Sequence, residues 1–514
     1  MQEPKNISLY QINTRVWLTR LSESLGRPAT LDDIPDSDLD HLAEMGFDWI
    51  WFLSVWQTGS ASQKISRSLP ELRKEFEETL PDLREQDIEG SGFAITGYSV
   101  HPHFGGDLAL GRLRERLRQR GLQLMLDFVP NHTGLDHPWV EQCPEYYIAG
   151  TEEDMLRAPH NYGWARRRQG DLIFAYGRDP YFPGWTDTFQ LNYGNRATQE
   201  AMSDVLLSIA EKCDGVRCDM AMLLLPEVFN RTWGISAEPF WPNAIAQVRA
   251  RYPDFCFMAE VYWDLEWTLQ QQGFDYTYDK RLYDRLRDGH VSSVREHLHA
   301  GPDYQNKLAR FLENHDEPRA AVTFPVRTHE AAAVITFLVP GLRFFHDGQL
   351  VGRRKRISPH LVRAPEEPVD ERLKDFYERL LAVLRQSVVR EGQWHLLECL
   401  PAWTDNRSCD SFVVFAWEGP DASRLLVAVN YSPNQSQCYV KLPFKGLEGK
   451  WELRDLLGHA VYEREGSDLQ RRGLYLDEPA WSALIFSFSN YADDELPGDE
   501  IVQRASSRAS GVGV

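Results

Sequence analysis

Four segments set a carboxylate where an apolar run stops: "LMLDFVPNH" at Asp127, "DGVRCDM" at Asp219, "FCFMAEVY" at Glu260 and "FLENHDEPR" at Asp316. A continuous apolar run reads as a strand buried on both faces of a parallel sheet. An acid at the C-terminal end of such a strand is where a barrel enzyme places its chemistry. One such end is ordinary, because strands often stop at an acidic turn residue. Four in one chain, with His132 and His315 beside two of them, suit the cleavage of an acetal. That reaction needs one carboxyl to protonate the leaving oxygen and another, ionised, to attack or stabilise an electron-poor carbon.

The elements that would position these acids alternate along the chain. "ISLYQI" at 7–12 reads as a first buried strand, and "SDLDHLAEMG" predicts a helix over Asp36–Glu44 that stops at Gly46. "FDWIWFL" at 47–53 is a second strand, followed by a polar insert from Gln57 to about Gly92. "LGRLRERLRQRGLQLMLDFVPNH" then gives a helix, a glycine stop and a third strand. A helix at 196–213 and strands at 215–219, 256–262, 273–278, 309–314 and 342–346 bring the strand count to eight. This α/β alternation predicts a (β/α)8 TIM barrel over 1–132 and 191–395. Residues 133–190, rich in Pro, Gly, Tyr, Trp and Arg, read as a small irregular domain inserted after strand three. After Leu384 the period shortens: "SFVVFAW", "RLLVAVNY", "CYVKLPF" and "ALIFSFS" predict a C-terminal antiparallel β-sandwich over 396–490. The tail 491–514 has little core-forming content and is expected to be disordered.

Composition narrows the partners. The 514 residues carry 56 basic and 76 acidic groups, a net charge of −20. Such a field repels nucleic acid and anionic membrane surfaces. No leader is visible at the N-terminus, and no apolar run of about twenty residues spans a bilayer. Seven cysteines, scattered and without CxxC pairs, point to a reducing, cytoplasmic location. Sixteen tryptophans and twenty tyrosines offer flat apolar faces of the kind that cover the C–H face of a sugar ring.

Together the segments resemble the regions that mark the α-amylase family of retaining glycoside hydrolases. Asp127, Asn131 and His132 match its Asp-x-x-x-Asn-His; Gly215, Arg217 and Asp219 match its Gly-x-Arg-x-Asp. Glu260 in "MAEVYW" matches the acid that closes strand five, and Asn314, His315 and Asp316 match Asn-His-Asp. "GYSVHPHFGG" resembles the stretch in which a tyrosine, here Tyr98, stacks on the sugar at the cleavage point. The resemblance runs over about 1–490 and implies roles. Asp219 would be the nucleophile, Glu260 the acid and base, and Asp316 the transition-state stabiliser. Arg217, two residues before Asp219 and so on the same strand face, would keep it ionised. Tyr98, Asp127, His132, His315 and Trp263 would contact substrate, an α-glucan or α-glucoside. No cofactor is required, and Asn131 is a candidate calcium ligand.

Three departures from the family pattern stand out. After the nucleophile comes "MAMLLL", where many starch-acting members offer a Lys-His or His; Met222 and Leu223 read either as an apolar acceptor floor or as barrel packing. Gln190 stands where many members have an acid that serves calcium, and a hard cation favours carboxylates. Near strand eight, Gln349 and Leu350 replace two acids, and Arg353, Arg354, Lys355 and Arg356 follow. That basic run would meet a phosphate or acidic partner, or form a solvated face.

The leading reading is a retaining enzyme acting on α-glucosidic bonds. A transglycosylase or phosphorylase of the same fold would use the same three acids. A non-catalytic carbohydrate-binding protein would be expected to have lost one of them.

Overall fold

The computed structural model describes residues 5–490, so the expectation for the tail at 491–514 lies outside the described residues. The chain divides into two compact units between Glu391 and Gly392. In the first, eight strands close a barrel: β1 (Ser8–Asn13), β2 (Trp49–Leu53), β3 (Gln123–Phe128), β4 (Gly215–Cys218), β5 (Cys256–Ala259), β6 (Tyr276–Tyr278), β7 (Leu308–Arg310) and β8 (Leu342–His346). Each strand pairs in parallel with the next in sequence, and β8 returns to β1. In β2, β4, β5 and β8 every residue is buried, because one face fills the barrel and the other meets the helices.

Several strands are shorter than their apolar runs. β5 stops at Ala259 rather than 262, and β7 covers 308–310 rather than 309–314. Phe311 and Leu312 are fully buried, so the apolar run beyond β7 reports packing and not ladder. Asp127 sits within β3, while Asp219, Glu260 and Asp316 therefore lie in the loops just past the strand ends. There the backbone turns sharply, with positive φ at Met220, Trp263 and Asp264.

The insert after β2 holds helices Ser60–Ser68 and Pro70–Thr79 and an antiparallel pair, Trp56–Thr58 with Ile95–Val100. The segment after β3 is more regular than its composition suggested. Its strands form a four-stranded antiparallel sheet in the order His132–Gly134, Trp185–Gln190, Leu172–Gly177, Tyr162–Ala165.

The second unit holds a six-stranded and a three-stranded antiparallel sheet. Phe412, Val414, Leu426, Val440, Leu453 and Leu476 share one buried apolar cluster that draws on both sheets. Among the described residues, no helix is long and apolar enough to cross a membrane.

Candidate active site

One buried guanidinium organises the acids. Arg217, 1% exposed, donates from Nη1 to Asp219 Oδ1 at 2.6 Å and from Nη2 to Glu260 Oε2 at 2.7 Å; Nη1 also lies 3.8 Å from Asp127 Oδ1. A planar fork can hold two carboxylates at a fixed spacing in a way that a lysine cannot. Trp51, Phe93 and Tyr278 surround it, with ring centroids 5.4, 5.3 and 5.9 Å from the guanidinium carbon. Backbone bonds fix the acids themselves: Asp219 N donates to Phe128 O, Glu260 N to Cys218 O and Ala221 N to Glu260 O.

The electrostatics divide the labour. Burial pushes the Asp219 and Glu260 carboxyls above the ordinary range, and the charge of Arg217 opposes it. Burial also raises Asp127 to about 7, and Ser54 N donates to its Oδ2. One guanidinium faces three buried carboxyls, and burial raises each of them more than its charge lowers it. On Glu260, Oε2 already accepts from Arg217 Nη2 and from Met220 N at 2.7 Å. Its Oε1 accepts from Tyr262 Oη at 2.9 Å.

Asp316 is the open member of the set, with its side chain 43% exposed and His315 Nε2 at 3.1 Å from Oδ2. Gln11 Nε2 contacts His315 Nδ1 at 2.9 Å; with the amide donating, the imidazole proton sits on Nε2, toward Asp316. Burial lowers His315 well below the ordinary value and His132 to about 4, so both rings are neutral. The His132 ring packs 5.1 Å from Trp185.

The other candidates lie at different depths. Tyr98 is held by its hydroxyl, which donates to Val129 O and accepts from Val129 N, while its ring packs on Trp56 and Phe128. Trp263 lies on the loop after β5, edge-on to Tyr181 at 5.0 Å, with Arg231 against both rings. Tyr181 and Phe182 are exposed, so an open aromatic cluster stands beside the loop after β5. Sequence reading missed Gln11, Phe93, Tyr262 and Tyr278. Only Tyr262 had a local signal: it stands two residues after Glu260.

Two of the departures resolve against their sharper readings. Met222 is fully buried and Leu223 is 3% exposed, so they pack in the barrel wall and form no acceptor floor. The basic run stays at the surface, with Arg354 and Lys355 exposed, and its side chains donate to partners within the chain. Arg353 donates to Glu367 O, Arg354 to Ala321 O, Lys355 to Glu78 O, and Arg356 to Glu75 and to Asp316 O.

The residues present do not fit the calcium ion that the resemblance implied. Gln190 Nε2 donates to Asn131 Oδ1 at 2.9 Å, Asn131 O at 2.9 Å and Leu191 O at 3.1 Å. Gln190 Oε1 accepts from Asn131 Nδ2 at 3.1 Å, and both side chains are buried. Oxygens that could face a cation converge instead on an amide. Among the described residues no group of three His, Cys, Asp or Glu could hold a metal ion. Asn131 is thus a partner of Gln190 rather than a calcium ligand. Chelation with EDTA should shift the melting temperature by less than about 1 °C, whereas Gln190→Asp should cost about 1–3 kcal/mol by leaving buried oxygens without a donor. A fall of several degrees in wild type on chelation would contradict this account.

Comparison with known proteins gives the same family. A family model described as "Alpha amylase, catalytic domain" matches residues 30–378. Alpha-amylase MalA of Haloarcula japonica is 23% identical over 357 residues, covering 68% of this chain and 44% of that protein. An alpha-1,4-glucan:maltose-1-phosphate maltosyltransferase of Burkholderia pseudomallei is 28% identical over 266 residues, 50% of this chain and 20% of that one. The chain spans from 20% to 61% of the length of the first curated relatives. A noncanonic maltogenic alpha-amylase, AmyB from Thermotoga neapolitana, shares the fold with a TM-score of 0.67 at 18% identity, over 95% of this chain and 99% of that one. The matched region takes in both β4 and β5 and the loops that carry the acids, and on that extent the chain belongs to the alpha-amylase family.

Proposed function

We propose that the protein is a retaining enzyme that breaks α-glucosidic bonds through a covalent glycosyl–Asp219 intermediate. The observation that carries this reading is the single guanidinium of Arg217 between Asp219 and Glu260. It contacts one oxygen of each carboxylate, at 2.6 and 2.7 Å, and so keeps the two acids close together. An inverting pair needs about 6.5–9.5 Å, to leave room for a water; a retaining pair stands about 5–5.5 Å apart.

In this reading the proton is assigned to Glu260 and the negative charge to Asp219. Glu260 gives its proton to the glycosidic oxygen as the C1–O bond breaks, and Asp219 forms a new bond to C1. Asp219 Oδ1 is held by Arg217, which favours its ionised form. Glu260, now a carboxylate, takes the proton of the incoming hydroxyl as C1 leaves Asp219. Water at that step gives hydrolysis, and a sugar hydroxyl gives transfer. Asp316 and the neutral His132 and His315 would bind hydroxyls of the glycosyl unit. Trp263, with Tyr181, would meet the leaving sugar.

The test is a panel of maltose, maltooligosaccharides, sucrose, trehalose, isomaltose and starch, with cellobiose as a β-linked control and products followed by NMR. Turnover of α-linked members alone is expected, with longer products in the presence of acceptor sugar if transfer dominates. Silence across the panel from folded protein would restore the non-catalytic carbohydrate-binding reading. Equal turnover of cellobiose would overturn the α-glucosidic assignment.

A further inference from the structure

The segments that follow β2 and β8 are locked together beside the acids. From the geometry we infer that they close the glycone side into a pocket for one sugar, so that the enzyme acts only at a free non-reducing end. This inference rests on the activity proposed above and specifies its substrate class.

The side of the site follows from the barrel order. Around the closed sheet, β1 is four strands from β5 in either direction. The loop after β5 carries Glu260, and the leaving group must lie against that acid. β2 and β8 flank β1, so the insert at 57–92 and the segment at 353–363 stand opposite, beyond the sugar being transferred.

These segments are tied at many points. Ile88 bridges Leu361; Glu89 N and Gly90 N donate to His360 O, and Val362 N to Asp87 O. Phe76, Leu80, Ile88 and Leu361 form a fully buried cluster. Arg363 pairs with Asp87 at 2.7 Å, and Arg356 with Glu75 at 2.6 Å. Buried Arg15, just after β1, donates to Gly90 O at 2.6 Å, Pro359 O at 3.1 Å and Thr58 Oγ1 at 3.0 Å, and so ties both segments to the barrel. Gly90 has φ +94°, and a Cβ there would stand 2.6 Å from Gln63 N; the chain packs too closely for a side chain.

The same segments reach the site and the next domain. The Phe93 ring lies 5.4 Å from His315 and 5.3 Å from the Arg217 guanidinium carbon. Arg356 Nη1 donates to Asp316 O at 3.3 Å. On the other flank, Ser62 Oγ donates to Asp187 Oδ2 at 2.7 Å and accepts from Ser91 N, and Ala61 N donates to Asp136 Oδ2. These contacts link the β8 loop, the insert after β2 and the sheet after β3. A glucan threading past the glycosyl unit would need a groove where these bonds lie. Arg356 and Glu75, each about one-third exposed, are placed to meet hydroxyls at the end of that unit.

The experiment compares two aryl maltooligosaccharides of equal length, one with its non-reducing end blocked by an acetal across O4 and O6. Wild type should cleave the free substrate one glucose at a time from that end. The blocked one should react at least about a hundredfold more slowly, because a closed wall rejects added bulk by steric clash. Comparable rates on both would overturn the inference. If neither is cleaved, the activity reading fails, and the wall is then decided by calorimetric titration of Asp219→Asn with both compounds. Binding of the free compound at least about tenfold tighter supports the wall, about 1.4 kcal/mol. Equal affinities, or none for either, overturn it.

Discussion

Asp219→Asn is expected to fold normally and to lose about ten-thousandfold in kcat, close to 5.5 kcal/mol of transition-state stabilisation. The amide nearly matches the carboxylate in shape, and its oxygen can still accept from Arg217 Nη1, as Asp219 Oδ1 does now. Asp127 and Glu260 remain as carboxyl partners of Arg217, so the guanidinium is not stranded. What the amide lacks is the ability to form an ester with C1 of the sugar. Far-UV circular dichroism and a melting curve check the fold, and steady-state kinetics on the best α-linked substrate check the loss. A variant that keeps more than about a tenth of wild-type kcat would remove Asp219 from the nucleophile's role, since loss of such a group costs several powers of ten.

Glu260→Gln is expected to divide substrates by leaving group. For a natural sugar the loss should be about a thousandfold, within the range that a positioned acid supplies. For glucosyl fluoride or an activated aryl glucoside, which leaves with little protonation, it should be about tenfold or less. The structure explains why folding should survive: a carboxamide oxygen can replace Oε2 in accepting from Arg217 and Met220, and its NH2 can face Tyr262. The pH dependence carries the sign. Wild type should lose activity on the basic side as Glu260 gives up its proton. Because burial raises that carboxyl, the fall should lie above the ordinary glutamate range. The variant has no titrating group there, so its basic limb should vanish. Equal losses on both substrate types would show that Glu260 is not the acid.

The acids were legible because a charge at the end of an apolar run is a local signal. Asp219, Glu260 and Asp316 each follow such a run, and the closed barrel brings together strands from distant parts of the chain. The contact between Arg217 and Glu260 was not legible. It joins residues 43 positions apart on neighbouring strands, and no period in the sequence encodes which neighbour a side chain will reach. Asn131 and Gln190, 59 positions apart, raise the same difficulty, and only the pairing of His132 with Gln190 brings them together. Met222 and Leu223 were ambiguous for another reason: an apolar residue after a strand end can line a cavity or fill a wall, and composition does not separate the two. The partners of Arg353–Arg356, among them Glu75 and Glu78, were not legible because they lie far earlier in the chain. The sheet after β3 was hidden by short strands that contain glycines, which weaken the alternation expected of a strand.

The most direct test of the central claim is to trap the glycosyl enzyme. A 5-fluoro-α-glucosyl fluoride keeps a good leaving group while its ring fluorine slows both steps, so the first intermediate accumulates. Mass spectrometry of digested wild-type protein should show one added fluoroglucosyl group on the peptide containing Asp219, and none in Asp219→Asn. A label on another residue, or turnover of natural substrate with inverted configuration and no label at all, would contradict the account.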